Sequence, residues 1–194
     1  MFNTHRRPFI LAFLFVLSTP AFAEDKCNVK AVLGGKPVTM KYCAAAVYEP
    51  SDDQYSVTLY FSDTLFTVKE LAEFHEYSAT PDKTADGKPR TMMHFAFCSG
   101  TGKAAASAAA VKSVEMSVNV AGSPFSSWQW TFDLPKDKDI VKIEKLTGSI
   151  VPGGKVSGRI TGGRVSDGLK YSWEADFEFT LSAKSASGGQ GCGS

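Results

Sequence analysis

The sequence predicts an all-β protein, either an antiparallel β-sandwich or a partly closed barrel of about nine strands. In several segments apolar residues recur at every second position, which is the period of a half-buried strand. Short turn signals rich in Gly, Pro and Asp separate these segments, with no room for helical crossovers between them. Strands joined in this way form antiparallel sheets. One short helix is predicted near residues 67–77.

The clearest strand covers residues 171–181. Its polar positions include Glu174, Asp176 and Glu178, and its apolar positions are Tyr171, Trp173, Ala175, Phe177, Phe179 and Leu181. Such a strand buries one face and exposes the other. The same pattern is found at 55–61, 114–120 and 128–134, and more weakly at 28–33, 38–48, 91–98, 140–150 and 156–165.

Turn residues delimit the strands. The segments Pro152-Gly153-Gly154 and Ser166-Asp167-Gly168 predict tight hairpins. Three further glycines, Gly158, Gly162 and Gly163, lie inside or beside a strand, where they predict a bulge or a bend of the sheet.

The predicted helix begins at a capping-box spacing, with Thr67 followed three residues later by Glu70. Val68, Leu71 and Ala72 then fall on one helical face. The helix is expected to end near Tyr77. The alanine-rich segment 104–110 fits either a short helix or a strand of small residues.

The first 23 residues read as a cleaved signal peptide. Arg6 and Arg7 precede an apolar run at 9–17, and Ala21-Phe22-Ala23 matches the small-x-small pattern that a signal peptidase cuts after. The run is shorter than the roughly 20 residues that a membrane-spanning helix needs. Cleavage after Ala23 predicts a periplasmic or extracellular product without a transmembrane segment.

Two export routes remain open. The segment His5–Ile10 partly resembles a twin-arginine signal, whose cargo is exported already folded. The Phe- and Leu-rich core suits the general secretory route better. The expected organisation is the same for both routes: one β domain at 24–186 and a Gly/Ser-rich tail at 187–194.

Four cysteines, Cys27, Cys43, Cys98 and Cys192, predict two disulfides in an exported chain. Cys27 and Cys43 are equidistant from Gly35 in a strong turn signal. A hairpin folded there would place them opposite each other on paired strands. Cys98 would then join Cys192 and tether the tail.

The overall charge excludes one class of function. Lys plus Arg number 21 and Asp plus Glu number 20, so the formal net charge is +1. Proteins dedicated to nucleic-acid binding usually carry a strong basic excess, so no nucleic-acid partner is predicted.

Neither a metal site nor a cofactor is predicted. Alternation in the strand at 91–98 places Met92 and His94 on one face, and Met and His can hold copper. Only one of each is aligned there, and His75 lies apart on the predicted helix. These three residues are weak metal candidates, and a half-buried strand histidine is the simpler interpretation.

Catalysis has little support in the sequence. Glu174, Asp176 and Glu178 are next neighbours on one strand face, about 7 Å apart, a spacing that glycosidases use. A row of carboxylates is also the usual composition of an exposed strand. The chain has no G-x-S-x-G nucleophile motif.

The three tryptophans, Trp128, Trp130 and Trp173, are expected in the core. If the sheet closed into a barrel, they would be candidate ligand-lining residues. The expected function is therefore that of an exported, non-catalytic β-domain that binds a protein partner or a surface. The alternatives are a barrel carrier of a small apolar ligand and, with less support, a metal-handling protein or a hydrolase.

Overall fold

The protein is a β-sandwich of two sheets that do not close into a barrel. The computed structural model describes residues 26–48, 55–67, 84, 86–98, 106–122, 127–151 and 153–183. These residues form eleven strands, more than the nine expected, and a one-turn 3₁₀ helix at Ala108–Ala110. The strands are β1 (Lys26–Leu33), β2 (Lys36–Met40), β3 (Tyr42–Tyr48), β4 (Ser56–Ser62), β5 (Met92–Cys98), β6 (Ser113–Asn119), β7 (Ser127–Asp133), β8 (Val141–Gly148), β9 (Lys155–Ser166), β10 (Leu169–Thr180) and β11 (Ser182–Ala183).

Sheet A has the strand order β2-β1-β10-β9-β8, and sheet B has the order β11-β3-β4-β5-β6-β7. Every pairing is antiparallel except that of the short β11 with β3. The predicted helix at 67–77 lies outside the described residues apart from Thr67, which is not helical. No helix in the described part of the chain is long and apolar enough to cross a membrane.

The inner face of β10 forms the centre of the core, as its alternation predicts. All six apolar residues from Tyr171 to Leu181 are at most 5% exposed. The Trp173 ring lies 6.1 Å from Phe95 and 6.3 Å from Phe132, both in sheet B. Further along the strand, Phe177 and Phe179 pack on a sheet B phenylalanine in the same way.

The segment predicted as a single strand at 38–48 is two strands in different sheets. β2 ends at Met40 in sheet A, Lys41 intervenes, and β3 begins at Tyr42 in sheet B. The hairpin of β1 and β2 turns at Gly34-Gly35 as predicted, but its register pairs Val29 with Met40. The chain therefore leaves sheet A before it could place a cysteine opposite Cys27.

The predicted Cys27–Cys43 disulfide is confirmed, but its predicted position within a hairpin is wrong. Cys27 lies on β1 of sheet A and Cys43 on β3 of sheet B, with their Cα atoms 6.3 Å apart. The bridge is thus a covalent tie between the two sheets. Cys98 is also disulfide-bonded. Its predicted partner Cys192 and the tail lie outside the described residues, so that pairing stays a prediction.

Two of the strand glycines have a role other than the predicted bulge. The register irregularity lies on β8, between Ile143 and Lys145. Gly158 and Gly162 of β9 instead lie under aromatic rings of β10. A Cβ added to Gly162 would stand 2.6 Å from Cζ2 of Trp173 and 2.3 Å from a backbone carbonyl oxygen. The missing side chain lets the ring lie directly on the sheet.

The two predicted hairpin turns differ in length. β9 and β10 are joined by Asp167-Gly168 alone, with φ angles of 50° and 76°. Two successive positive φ angles are typical of a type I′ turn, which suits the twist of a hairpin. The connection from β8 to β9 covers residues 149–154, so that hairpin is confirmed but is not tight.

The central strand β4 of sheet B is buried on both faces, which its alternating pattern did not indicate. All seven residues of β4 are buried. On the outer face a second apolar cluster forms from Ala44, Ala46, Tyr60, Phe66 and Met92. The fully buried Arg90 lies over the Phe66 ring at 5.0 Å and donates from Nε to Oγ1 of Thr64 at 2.8 Å.

Removing the inter-sheet bridge should lower stability substantially. For the double variant Cys27→Ala with Cys43→Ala we expect a loss of about 3 kcal/mol in the free energy of unfolding. The bridged cysteines are 16 residues apart, and closing a loop of that length restricts the unfolded chain by about this amount. Urea unfolding measures it. A matched double variant of exposed neighbours, Asn28→Ala with Tyr42→Phe, keeps the bridge and should unfold like the wild type. Equal midpoints for all three proteins would contradict the assignment.

Filling the space under Trp173 should also destabilise the fold. We expect Gly162→Ala to cost about 2 kcal/mol, because the added methyl group meets a packed ring and a backbone oxygen that cannot both move away. Thermal and urea unfolding test this. The control, Val165→Ala, removes an exposed side chain from the same strand and should have little effect. A Gly162→Ala variant as stable as the control would show that the ring does not lie on the glycine.

Candidate binding site

Three aromatic residues and one arginine meet where β7 approaches the β9–β10 hairpin. We call this group, Trp128, Trp130, Tyr171 and Arg164, the aromatic corner. The two indole rings are stacked, with centroids 6.1 Å apart and planes 13° from parallel. The Tyr171 ring meets both edge-on, at 5.9 Å and 5.1 Å. The corner is a rigid aromatic surface at the end of the sandwich.

Strand geometry explains how these residues meet. Trp128 and Trp130 are two residues apart on β7, so both side chains point to the inner face of sheet B. Tyr171 and Arg164 are direct cross-strand neighbours on β10 and β9. Their side chains leave sheet A on the side that faces β7. Trp130 and Tyr171 are buried, whereas Trp128 and Arg164 are half-buried.

Arg164 is the charged member of the corner. Its Cζ atom lies 5.0 Å from the centroid of the Trp130 ring, a cation–π contact. Its Nε atom is buried and has no hydrogen-bond acceptor. Since the side chain as a whole is half-buried, its terminal nitrogens stay accessible. The contact with the indole restrains the guanidinium while its terminal donors remain available.

Tyr171 is held within the corner by burial and by its neighbours. Burial is the main cause that raises the pKa of the Tyr171 phenol, and the negative charge of Asp167 adds to it. A hydrogen bond with Trp128 acts in the opposite direction. Because an indole N–H can only donate, the phenol oxygen accepts this bond. Tyr171 therefore stays neutral at physiological pH and orients the half-buried Trp128.

The hairpin beside the corner exposes two large apolar side chains. Leu169 is 39% exposed on the face that carries Tyr171 and Arg164, and Val165 is 69% exposed on the opposite face of the hairpin. The hairpin tip is anchored, because the Gly35 amide of the β1–β2 turn donates to the Lys170 carbonyl at 2.9 Å. Leu169 also reaches to within van der Waals contact of Gly34. The hairpin that carries these exposed side chains is therefore held in place by the β1–β2 turn.

The structure separates the three candidate ligand-lining tryptophans. It brings Trp128 and Trp130 together in the corner but places Trp173 deep in the core, 2% exposed. Sequence reasoning missed Arg164 as a site residue. The sequence does contain a sign of it, because Arg164 lies on the same face of β9 as Val156 and Ile160. A charged residue is unusual on an inward-facing row of this kind.

The metal candidates do not form a site among the described residues. His94 is 5% exposed on β5, and its ring meets that of Tyr60 edge-on at 5.9 Å. Burial lowers the pKa of His94 to about 4. Met92 is fully buried on the same outer face of sheet B, and His75 lies outside the described residues. In the described ranges, no three His, Cys, Asp or Glu side chains approach closely enough to hold a metal ion.

Two of the three carboxylates of β10 share one cation on the outer face of sheet A. Arg159 of β9 contacts Asp176 at 3.0 Å, Glu174 at 3.2 Å and Glu144 of β8 at 3.1 Å. These charges also raise the pKa of Arg159. An open groove of about 770 Å³ lies over this ion-pair network. Two of the three hydrolase candidates, Glu174 and Asp176, are therefore bound to a shared guanidinium on a solvated face, and Glu178 is not among its ion-pair partners.

Comparison with protein-family models, with curated proteins and with solved structures finds no match for this chain. The assignment of the site rests on its geometry alone.

The buried His94 predicts a loss of stability in mild acid. Its pKa lies at about 4 in the folded protein and near 6.5 in the unfolded chain. The unfolded state therefore binds the proton first, so stability is complete above pH 6.5 and falls as the pH drops towards 4. The loss attributable to His94 is about 3 kcal/mol.

Urea unfolding at several pH values between 7 and 4 measures this loss. In His94→Gln no imidazole is present to titrate, so we expect its stability to fall less steeply over that range than that of the wild type. Parallel curves for the two proteins would show that His94 is not held neutral by the fold.

Proposed function

We propose that this protein is an exported, non-catalytic binding domain that contacts a partner protein through the aromatic corner and the tip of the β9–β10 hairpin. The observation that carries the proposal is the exposure of Leu169 on the same face as the aromatic corner, on a hairpin with a two-residue turn. Large apolar side chains exposed on a rigid element beside aromatic residues are characteristic of interaction surfaces.

The disulfide supports export. A bridge between Cys27 and Cys43 ties the two sheets together, and such bridges persist in oxidising compartments outside the cytoplasm. The signal-like segment at residues 1–23 agrees with this proposal. The product would act in the periplasm or outside the cell.

The packing of the interior favours a surface-binding role over the carrier of an apolar ligand. That alternative needs a closed barrel with aromatic side chains lining a cavity. Here the sheets form a sandwich, and Trp173 is in ring contact with Phe95 and Phe132 from the facing sheet. The aromatic residues fill the space between the sheets, and the half-buried Trp128 lies at its end.

Site-specific photo-crosslinking in the cells that export the protein tests the proposal. A benzophenone amino acid replaces Leu169 in one protein and Val165 in another, and both should capture the same discrete partner. The control carries the probe in place of Lys155, which is exposed at the other end of β9. Crosslinking at Leu169 should be lost when Trp128 is changed to Ala. Identical crosslinking from all three positions, or none from any, would contradict a contact surface at the hairpin tip.

A further inference from the structure

We propose that the aromatic corner recognises the free C-terminal carboxylate of its partner polypeptide, with an apolar last residue against Leu169 and Trp128. This inference rests on the proposed function and names what that surface binds. The carboxylate would accept hydrogen bonds from the Arg164 guanidinium.

A comparison of the three arginines in the described part of the chain identifies Arg164 as the anion-binding group. Arg159 contacts three carboxylates. Arg90 is fully buried and donates to Thr64 and to the Leu65 carbonyl. Arg164 alone among them contacts no protein oxygen, and its partner is the Trp130 ring. The Nε atom of Arg164 is buried, so an external acceptor would bind the terminal nitrogens, which reach solvent and have no acceptor among the described residues.

The orientation of Arg164 suits a carboxylate. The guanidinium is planar and its donors form a fork that matches two carboxylate oxygens. The cation–π contact with Trp130 restrains the side chain before a ligand arrives, so less side-chain freedom is lost on binding.

The apolar surroundings accommodate a short side chain. Leu169 is exposed beside the corner, on the same face of β10 as Tyr171, and Trp128 is half-buried within it. A long acyl chain would have to enter between the sheets, where Trp173, Phe95 and Phe132 are packed against one another. The terminal side chain of a peptide is short enough to be covered by the apolar surface outside the two sheets. The observations therefore favour a peptide end over a fatty acid.

The position of β7 agrees with an extended peptide. Among the described strands, β7 forms the edge of sheet B and carries neither Lys nor Pro, the residues that commonly protect an edge. Peptides often bind by adding a strand to such an edge. A strand added antiparallel to β7 ends its chain near the beginning of β7, which is where Trp128 lies.

The test uses two forms of one short peptide, acetyl-Thr-Val-Thr-Val-Leu, with a free carboxylate or with a C-terminal amide. Isothermal titration calorimetry with the full exported protein should show saturable one-to-one binding of the acid. The amide should bind about tenfold more weakly or worse, because it loses a charge-assisted hydrogen bond. The Arg164→Gln variant should bind the peptide acid only as tightly as the wild type binds the amide. Its affinity for the amide should equal that of the wild type. The control Arg159→Gln should bind both forms as the wild type does.

A second measurement uses only the wild-type protein, so it does not require that a variant folds. In the wild-type protein, the acid should shift the indole N–H resonances of Trp128 and Trp130 in the NMR spectrum more than that of Trp173. Equal affinity for acid and amide would overturn the inference, and so would decanoate binding more tightly than the peptide acid. If either result occurred while crosslinking at Leu169 still captured a partner, the carboxylate assignment would fail and the proposed function would stand.

Discussion

The fold depends on the burial of one row of aromatic side chains. Tyr171, Trp173, Phe177 and Phe179 share a single face of β10, and a strand with such a face is stable in water only when a second layer covers it. Sheet B supplies that layer. Gly158 and Gly162 on the neighbouring strand let the rings lie flat on their own sheet, so the aromatic row occupies little depth. The bridge from Cys27 to sheet B then holds the two layers together.

The candidate site lies where this packing reaches the end of the sandwich. On β9 the inward positions are apolar or glycine until Arg164, where the row meets the edge strand β7. A guanidinium can occupy this position because Trp130 offers a ring face in place of a carboxylate and because its terminal nitrogens reach solvent. The same packing that completes the core thus leaves a positively charged, aromatic surface beside an apolar hairpin tip. Structure and proposed recognition have one physical origin.

The sequence predicts the strands and their buried faces far better than it predicts the partners of each strand. Alternation identifies the inner face of β10 because the side-chain period is independent of which sheet lies opposite. It does not reveal that the chain changes sheets at Lys41, since one residue without a turn signal suffices for the crossing. For that reason the Cys27–Cys43 pair was predicted correctly and its position was not. The buried outer face of β4 was missed because its Ser and Thr residues read as solvent-facing. Arg164 was overlooked because a lone arginine in a strand usually lies on the exposed face.

The central claim is that the aromatic face of β10 lies between two sheets and that the ring pair of β7 marks the end of that interior. Hydroxyl-radical footprinting of the folded protein, read residue by residue with mass spectrometry, measures this directly. Trp173 and Phe179 should be strongly protected relative to the urea-unfolded chain, and Trp128 should be oxidised faster than Trp173. Oxidation of Trp173 at the rate of the unfolded chain would contradict both the sandwich and the site built at its end.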